Sequence, residues 1–160
     1  MADGFDELAL PLLPALYNYA RWLTKDASEA EDLVQETYVK AMRGFASFAR
    51  GTNFRAWIYR ILRNTFLTSR SGLRQQTSIE DEEFDVAGDS PEAHLIMRID
   101  HVAVRRAIDE LPVIFREVLL LCDVEDMSYR EIAEALSVPV GTVTSRLMRA
   151  RRKVREALQT

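Results

Sequence analysis

The chain of 160 residues holds a single cysteine, Cys122, so no disulfide can form within it. Its two histidines, His94 and His101, lie on one expected helix and far from Cys122, which is not a metal-ligand spacing. No glycine-rich phosphate loop is present, and no serine sits in a nucleophile-elbow pattern. The chain therefore reads as a non-enzyme, with no catalytic residue, metal or cofactor. No apolar run approaches the ~18 residues of a membrane span, and no charged-then-apolar leader opens the sequence. A cytoplasmic protein without membrane insertion is expected. Alternating strand patterns and fixed-period repeats are also missing. What remains is a folded, all-α composition with 48% hydrophobic residues, too short for a barrel-sized enzyme and long enough for one domain or two small ones. His94 and His101 fit surface or helix-packing positions. Cys122 fits a packed position near a helix end, where burial and pKa decide whether a thiol can report redox state.

The formal charge of −4, from 21 basic and 25 acidic residues, hides a strong segregation. Counted by segment, residues 1–50 carry −3, 51–76 carry +5, 77–100 carry −7, 101–127 carry −3 and 128–160 carry +4. A local field matters more to a polyanion than the total does. Arg55, Arg60, Arg63, Arg70 and Arg74 lie in a stretch without any acid, and Arg146 to Arg155 holds six basic residues in ten. A single basic run is commonly a solvated face. Two separated runs on helical patterns favour two contacts with one nucleic acid.

Apolar spacing outlines the helices. Leu8, Leu12, Leu16, Tyr19 and Leu23 recur every three or four residues, a core-facing stripe with Pro11 and Pro14 in its early turns. Asp26 or Ser28 offers N-cap chemistry for a second helix running to about Phe45, with Ala30, Leu33, Val34, Thr37, Tyr38 and Ala41 as its stripe. Residues 44–53 read as a loop with two aromatics, after which Asn53 caps a third helix through Phe54, Trp57, Ile58, Ile61, Leu62 and Phe66. Trp57 sits on that stripe and is expected in the core. Residues 71–90 are polar, acidic and aperiodic, as a linker that is flexible or orders on binding is. Ser90-Pro91 then resembles an N-cap followed by proline at the first helical position, opening a helix to about Leu111; another runs from Pro112 to about Cys122.

The last two helices carry the strongest signal. Ser128 and Glu131 have capping-box spacing, opening a short helix with Tyr129, Ile132, Ala133 and Leu136 inward. Ser137 to Gly141 breaks it, and Thr142 is placed to cap the next, giving a helix-turn-helix. At 100° per residue, Val143, Leu147, Ala150, Val154 and Leu158 fall within a strip about 80° wide. Ser145, Met148, Arg149, Arg152 and Arg155 fall opposite, with Thr144 at the edge. Such a helix suits a major groove, its first turns reaching bases and its later arginines phosphates.

The segment MSYREIAEALSVPVGTVTSRLMRARRKVREAL (127–158) resembles region 4 of a bacterial extracytoplasmic-function sigma factor, of the sigma-70 family. AEDLVQETYVKAMRGF (30–45) is similar to sigma region 2.2, and GTNFRAWIYRILRNTF (51–66) to regions 2.3 and 2.4, in the family's order. The resemblance implies two small helical domains, a region 2 bundle over 1–76 and a region 4 helix-turn-helix domain over 92–160, joined by a flexible acidic linker over 77–91. It also implies an alternative sigma factor that binds core RNA polymerase, through the β′ coiled coil and β flap, and recognises promoter DNA at −10 and −35 elements. By matched position, Asp32, Gln35 and Glu36 would dock on polymerase. Ser47, Phe48 and Ala49 match the −10 specificity loop and Asn64 the pocket for an unstacked base, while Arg55, Arg60 and Arg63 would contact phosphates. Thr142, Thr144, Ser145, Arg146, Met148, Arg149 and Arg152 would form the −35 surface, with Arg149 able to contact guanine and Met148 a thymine methyl. The strings GTNFRAW and DLVQETYVKA are similar to those of stress-response subgroups, which implies an anti-sigma factor as a further partner. The other reading, a polymerase-independent helix-turn-helix regulator, usually presents two half-sites through a dimer. Here two different DNA-facing units share one chain.

Overall fold

A computed structural model describes residues 4–48, 52–69 and 101–159. All described elements are helical. The first apolar stripe is not one helix: α1 (Phe5–Ala9) and α2 (Leu13–Thr24) are separated by a 3-10 turn over Leu10–Leu12. Pro11 lacks the N–H that a continuous helix would use, and Pro14 is tolerated in the first turn of α2. The break rotates the stripe, so that Phe5 and Ala9 are buried while Leu8 faces solvent. Gly4, at φ 83°, supplies the left-handed entry to α1.

α3 (Ala27–Gly44) starts where Asp26 Oδ1 accepts the Glu29 backbone N–H at 2.9 Å, so Asp26 rather than Ser28 is the cap. Ala30, Leu33, Thr37 and Ala41 are buried as the spacing predicts. α4 (Phe54–Ser69) starts on Asn53, whose side-chain oxygen accepts the Ala56 N–H at 3.0 Å. Between α3 and α4, Phe45 and Phe48 stack at 5.9 Å, and Phe54 and Trp57 close on them at 5.4 and 5.0 Å from Phe48. Trp57 thus packs in the core region, as expected.

The C-terminal half comprises α5 (His101–Asp109), α6 (Val113–Leu119), α7 (Tyr129–Leu136) and α8 (Val140–Gln159). α6 runs into a wider π turn over Leu120–Val124, closed by a Glu125 N–H to Leu120 carbonyl bond of 2.9 Å. The 77–91 linker and the Ser90-Pro91 cap lie outside the described residues. The capping box is present in full: Ser128 Oγ accepts the Glu131 N–H and Glu131 Oε1 accepts the Ser128 N–H, both at 3.1 Å. Ile132, Ala133 and Leu136 are buried, whereas Tyr129, on the same side by helical rotation but in the first turn of α7, is exposed. Ser137 ends α7 in the left-handed conformation at φ 60°. α8 begins at Val140, and the Thr142 and Val143 N–H groups are taken by the Pro139 carbonyl, so Thr142 lies inside the helix instead of capping it.

The two halves pack together, α4 lying along α7 and α2 touching α6. This brings a stretch of the N-terminal half rich in arginine against acidic and carbonyl oxygens of the C-terminal half.

Candidate nucleic-acid interface

On α3, Asp32, Gln35 and Glu36 are all exposed, at the spacing that puts them on one face. Asp32 and Glu36 also rim a groove of about 400 Å³ whose other walls include Glu29, Leu33, Thr65 and Phe66. The face is acidic over an apolar floor, suited to a basic protein surface.

On α8 the core strip is as the spacing predicts: Val143, Leu147, Ala150 and Val154 are buried, and Leu158 packs partly against them. Thr142, Thr144, Ser145, Met148, Arg149 and Arg152 are half-exposed on the other sides. Thr144 and Ser145 donate their hydroxyls back to the Val140 and Thr142 carbonyls at 3.2 Å, leaving lone pairs outward. The Arg149 guanidinium lies 5.2 Å and the Lys153 ammonium 5.4 Å from the Phe115 ring centre, so a buried aromatic of α6 orients two cations of this face. Arg146 departs from the expected set. It is only 3% exposed, and its charge acts on the buried Glu117 rather than facing outward. The cause is helical geometry: Arg146 lies three residues after Val143 and four before Ala150, beside the core strip.

On the N-terminal side, Ser47 is exposed and donates to the Gly44 carbonyl at 2.8 Å, while Phe48 is buried in the aromatic cluster and holds the loop to α4. Ala49 lies outside the described residues. Asn64 is exposed. The three arginines expected on phosphates are instead engaged by the C-terminal half. Arg55 donates to the Glu125 carbonyl at 2.6 Å and lies 3.8 Å from Glu131, and Arg60 donates to the Glu134 carbonyl at 3.1 Å. Arg63 makes a two-pronged pair with Glu117 at 2.9 and 3.3 Å and reaches the Leu136 carbonyl at 3.4 Å.

Other residues complete this contact, in roles that no local pattern singled out. Asn53 donates to Glu131 at 2.9 Å, and the Tyr59 hydroxyl donates to Glu125 at 3.0 Å. Burial first, then the charge of Glu125, push the Tyr59 phenol upward and keep it a donor. Lys25 donates to the Asp109 carbonyl, and the Arg105 guanidinium lies 4.3 Å from the Trp22 ring centre. Burial raises the Glu117 carboxyl above its ordinary range, against the pull of Arg63, Arg146 and Arg116. The one available signal was Glu117 itself, an acid inside the apolar run Val113–Leu121.

Residues 8–77 match Sigma-70 region 2 and residues 101–154 match Sigma-70 region 4. The chain is 34% identical over 159 residues to the ECF RNA polymerase sigma factor SigE of Mycolicibacterium smegmatis, covering 97% of this chain and 62% of that protein. It belongs to the sigma-70 family, in the extracytoplasmic-function branch. The RNA polymerase sigma-H factor of Pseudomonas aeruginosa is 35% identical, with 98% of this chain and 86% of that protein covered. Among solved structures, the sigma factor RpoE in complex with the anti-sigma factor NepR from Bartonella quintana is similar at a TM-score of 0.74 and 30% identity, covering 98% of this chain and 97% of that one. CnrH in complex with the cytosolic domain of CnrY follows at a TM-score of 0.71 and 27% identity, covering 97% and 87%. This sigma factor thus shares both its helical units and their order with its relatives. No helix among its described residues is long and apolar enough to cross a membrane.

Proposed function

We propose that this sigma factor binds core RNA polymerase and directs it to promoters carrying −10 and −35 elements, under the control of an anti-sigma factor. The observation that carries the reading is the presence, in one chain, of two arginine-rich helices in different settings, α4 and α8, beside a separate acidic face on α3. A repressor needs one DNA surface repeated by symmetry; an initiation factor needs two different ones and a docking face. The working division is a region 2 domain over 1–76, a linker over 77–91 and a region 4 domain over 92–160, in the cytoplasm. Asp32, Gln35 and Glu36 dock on the β′ coiled coil, and the region 4 domain faces the β flap.

At the −35 element, Arg149, held by Phe115, reads a base edge, Thr142, Thr144, Ser145 and Met148 line its approach, and Arg152 contacts phosphate. Arg146 supports α8 from beneath through the Glu117 cluster. At the −10 element, Asn64 hydrogen-bonds an unstacked base exposed by strand opening, Ser47 and Ala49 border it, and Phe48 fixes the loop. Arg55, Arg60 and Arg63 supply phosphate contacts once released from the C-terminal half. The factor acts by binding alone; phosphodiester chemistry belongs to the polymerase.

Gel-shift binding to genomic promoter fragments, with and without sigma-free core polymerase, tests this. Specific binding should require core and should vanish when Asp32, Gln35 and Glu36 are replaced together by alanine. In the same complexes Asn64→Ala should retain duplex binding yet lose permanganate reactivity of melted −10 thymines. Specific binding by the protein alone would replace this reading with a helix-turn-helix regulator.

A further inference from the structure

We infer that α1 is a brace for the −10 loop, and that Phe5 is a positioning residue for base selection there, acting on Phe48 through Phe45 and Phe54. This rests on the reading that Ser47 and Ala49 border the −10 bases. Hydrogen bonds from the Phe48 N–H to the Phe45 carbonyl at 3.0 Å, and from the Ser47 hydroxyl to the Gly44 carbonyl at 2.8 Å, lie within the turn and fix its shape. Its seat on the domain is set instead by the rings of Phe45 and Phe48, which are buried among aromatics of other elements. Phe5 meets the Phe45 ring edge-on at 5.3 Å and 65°, and the Phe54 ring in the same way at 6.1 Å and 75°. Phe45 then stacks on Phe48 with the planes 13° apart, and Phe54 meets Phe48 at 89°. Edge-to-face pairs fix the tilt of a ring as well as its distance, so the ring at position 5 sets the angle at which Phe45 and Phe48 carry the loop. Phe5 is 0% exposed and has no surface with which to touch DNA, so its effect on base choice is indirect.

The attachment of α1 supports this role. At five residues the helix is too short to persist alone. It is pinned by the burial of Phe5 and Ala9, and by the Tyr38 hydroxyl, which donates to the Asp6 carboxylate. The Tyr38 ring also meets Phe5 at 5.2 Å and 62°. One residue of α3 therefore fixes both the rotation of α1 and the tilt of the ring it inserts. Removing that ring leaves a void behind Phe45, and a neighbour that relaxes into it takes the loop along.

The test uses the full-length chain bound to core polymerase, with a promoter fragment of the native host randomised at either the −10 or the −35 element; bound fragments are sequenced to give base preferences. Phe5→Leu keeps an apolar side chain and removes the ring edge. Asp6→Ala, on the exposed side of α1, unlatches the helix without opening the core, and serves if circular dichroism shows that Phe5→Leu does not fold. Leu23→Ala, in the buried face of α2, is the control for a core defect that touches none of these rings. Phe5→Leu should lower the preference at one −10 position by about fivefold, the low end of what a single base contact supplies. Asp6→Ala should lower it less at the same position, both should keep the −35 preference, and Leu23→Ala should keep both. Unchanged −10 preference in the folded α1 variants, or a loss shared by the −35 element or by Leu23→Ala, overturns the proposal. Ser47→Tyr separates the two ideas: if it shifts the −10 preference where the α1 variants do not, the brace alone is wrong. If it shifts nothing, the loop does not read these bases and the inference falls with that reading.

Discussion

The two cationic helices of this sigma factor, α4 and α8, look alike in sequence and differ in what surrounds them. Each has an apolar stripe and several arginines, one of them buried: Arg63 on α4 and Arg146 on α8. The α4 arginines find their partners 54 to 74 residues further along the chain, in the other half of the molecule. Cations of α8 are braced from within their own half, Arg149 and Lys153 over Phe115 and Arg151 on Asp123 at 2.8 Å. The cations of one helix are held across the two halves, and those of the other within a single half. The lesson is that two basic helices alike in sequence can differ in surroundings, because the acids and carbonyls packed against each come from different parts of the chain.

The contrast breaks most severely at Glu117, because three arginines depend on it. Glu117→Ala should lower stability by about 3–5 kcal/mol, the cost of leaving a buried cation without its counter-ion, measured by urea unfolding; Arg60→Ala, whose partner is only a carbonyl at the edge of the contact, should cost far less. On the α8 side, Arg149→Ala should cost about 1–3 kcal/mol at one −35 base pair and relax selectivity there. Arg152→Ala should instead weaken all sequences evenly and reduce the salt slope by about 1; competition binding of the polymerase complex across single-base promoter variants distinguishes the two. Ser128→Ala removes an N-cap from α7 and should cost about 1 kcal/mol in thermal unfolding.

The smallest effect concerns Cys122. Burial, and then the neighbouring Asp123 carboxylate, push its thiol up to about 11. Alkylation by iodoacetamide should therefore be slow near pH 8 and accelerate only toward pH 11. Because the folded value lies above the unfolded one, the associated stability is complete below the ordinary thiol range and declines as pH rises through the folded value. Fast alkylation at pH 8 would show an exposed thiolate and remove the packing described here.

Much of this was legible locally. The Ser128–Glu131 box, the Asn53 cap, and the strip of Val143, Leu147, Ala150 and Val154 are short-range features, and the structure has them where the spacing puts them. Errors arose where a local rule met a second constraint. Pro11 and Pro14 split the first stripe and turned Leu8 outward. Arg146 sits only about 40° beyond the edge of the α8 core strip by helical rotation, close enough to be drawn in by Glu117, yet its charge suggested the outside. The contact between α4 and the C-terminal half was barely readable, because it depends on how Glu117, Glu125 and Glu131 fall in space after two folded units meet. Of those acids only Glu117, set in a mostly apolar stretch, stands out locally.

The central claim, that this chain selects promoters for polymerase through two distinct DNA surfaces, is tested most directly by transcription. Purified protein would be added to sigma-free core polymerase with fragmented genomic DNA of the native host, and the run-off transcripts sequenced. The account predicts core-dependent transcripts whose start sites share two upstream motifs at −10 and −35, lost with Asn64→Ala and shifted in −35 preference with Arg149→Ala. Absence of core-dependent transcripts, together with specific DNA binding by the protein alone, would contradict it.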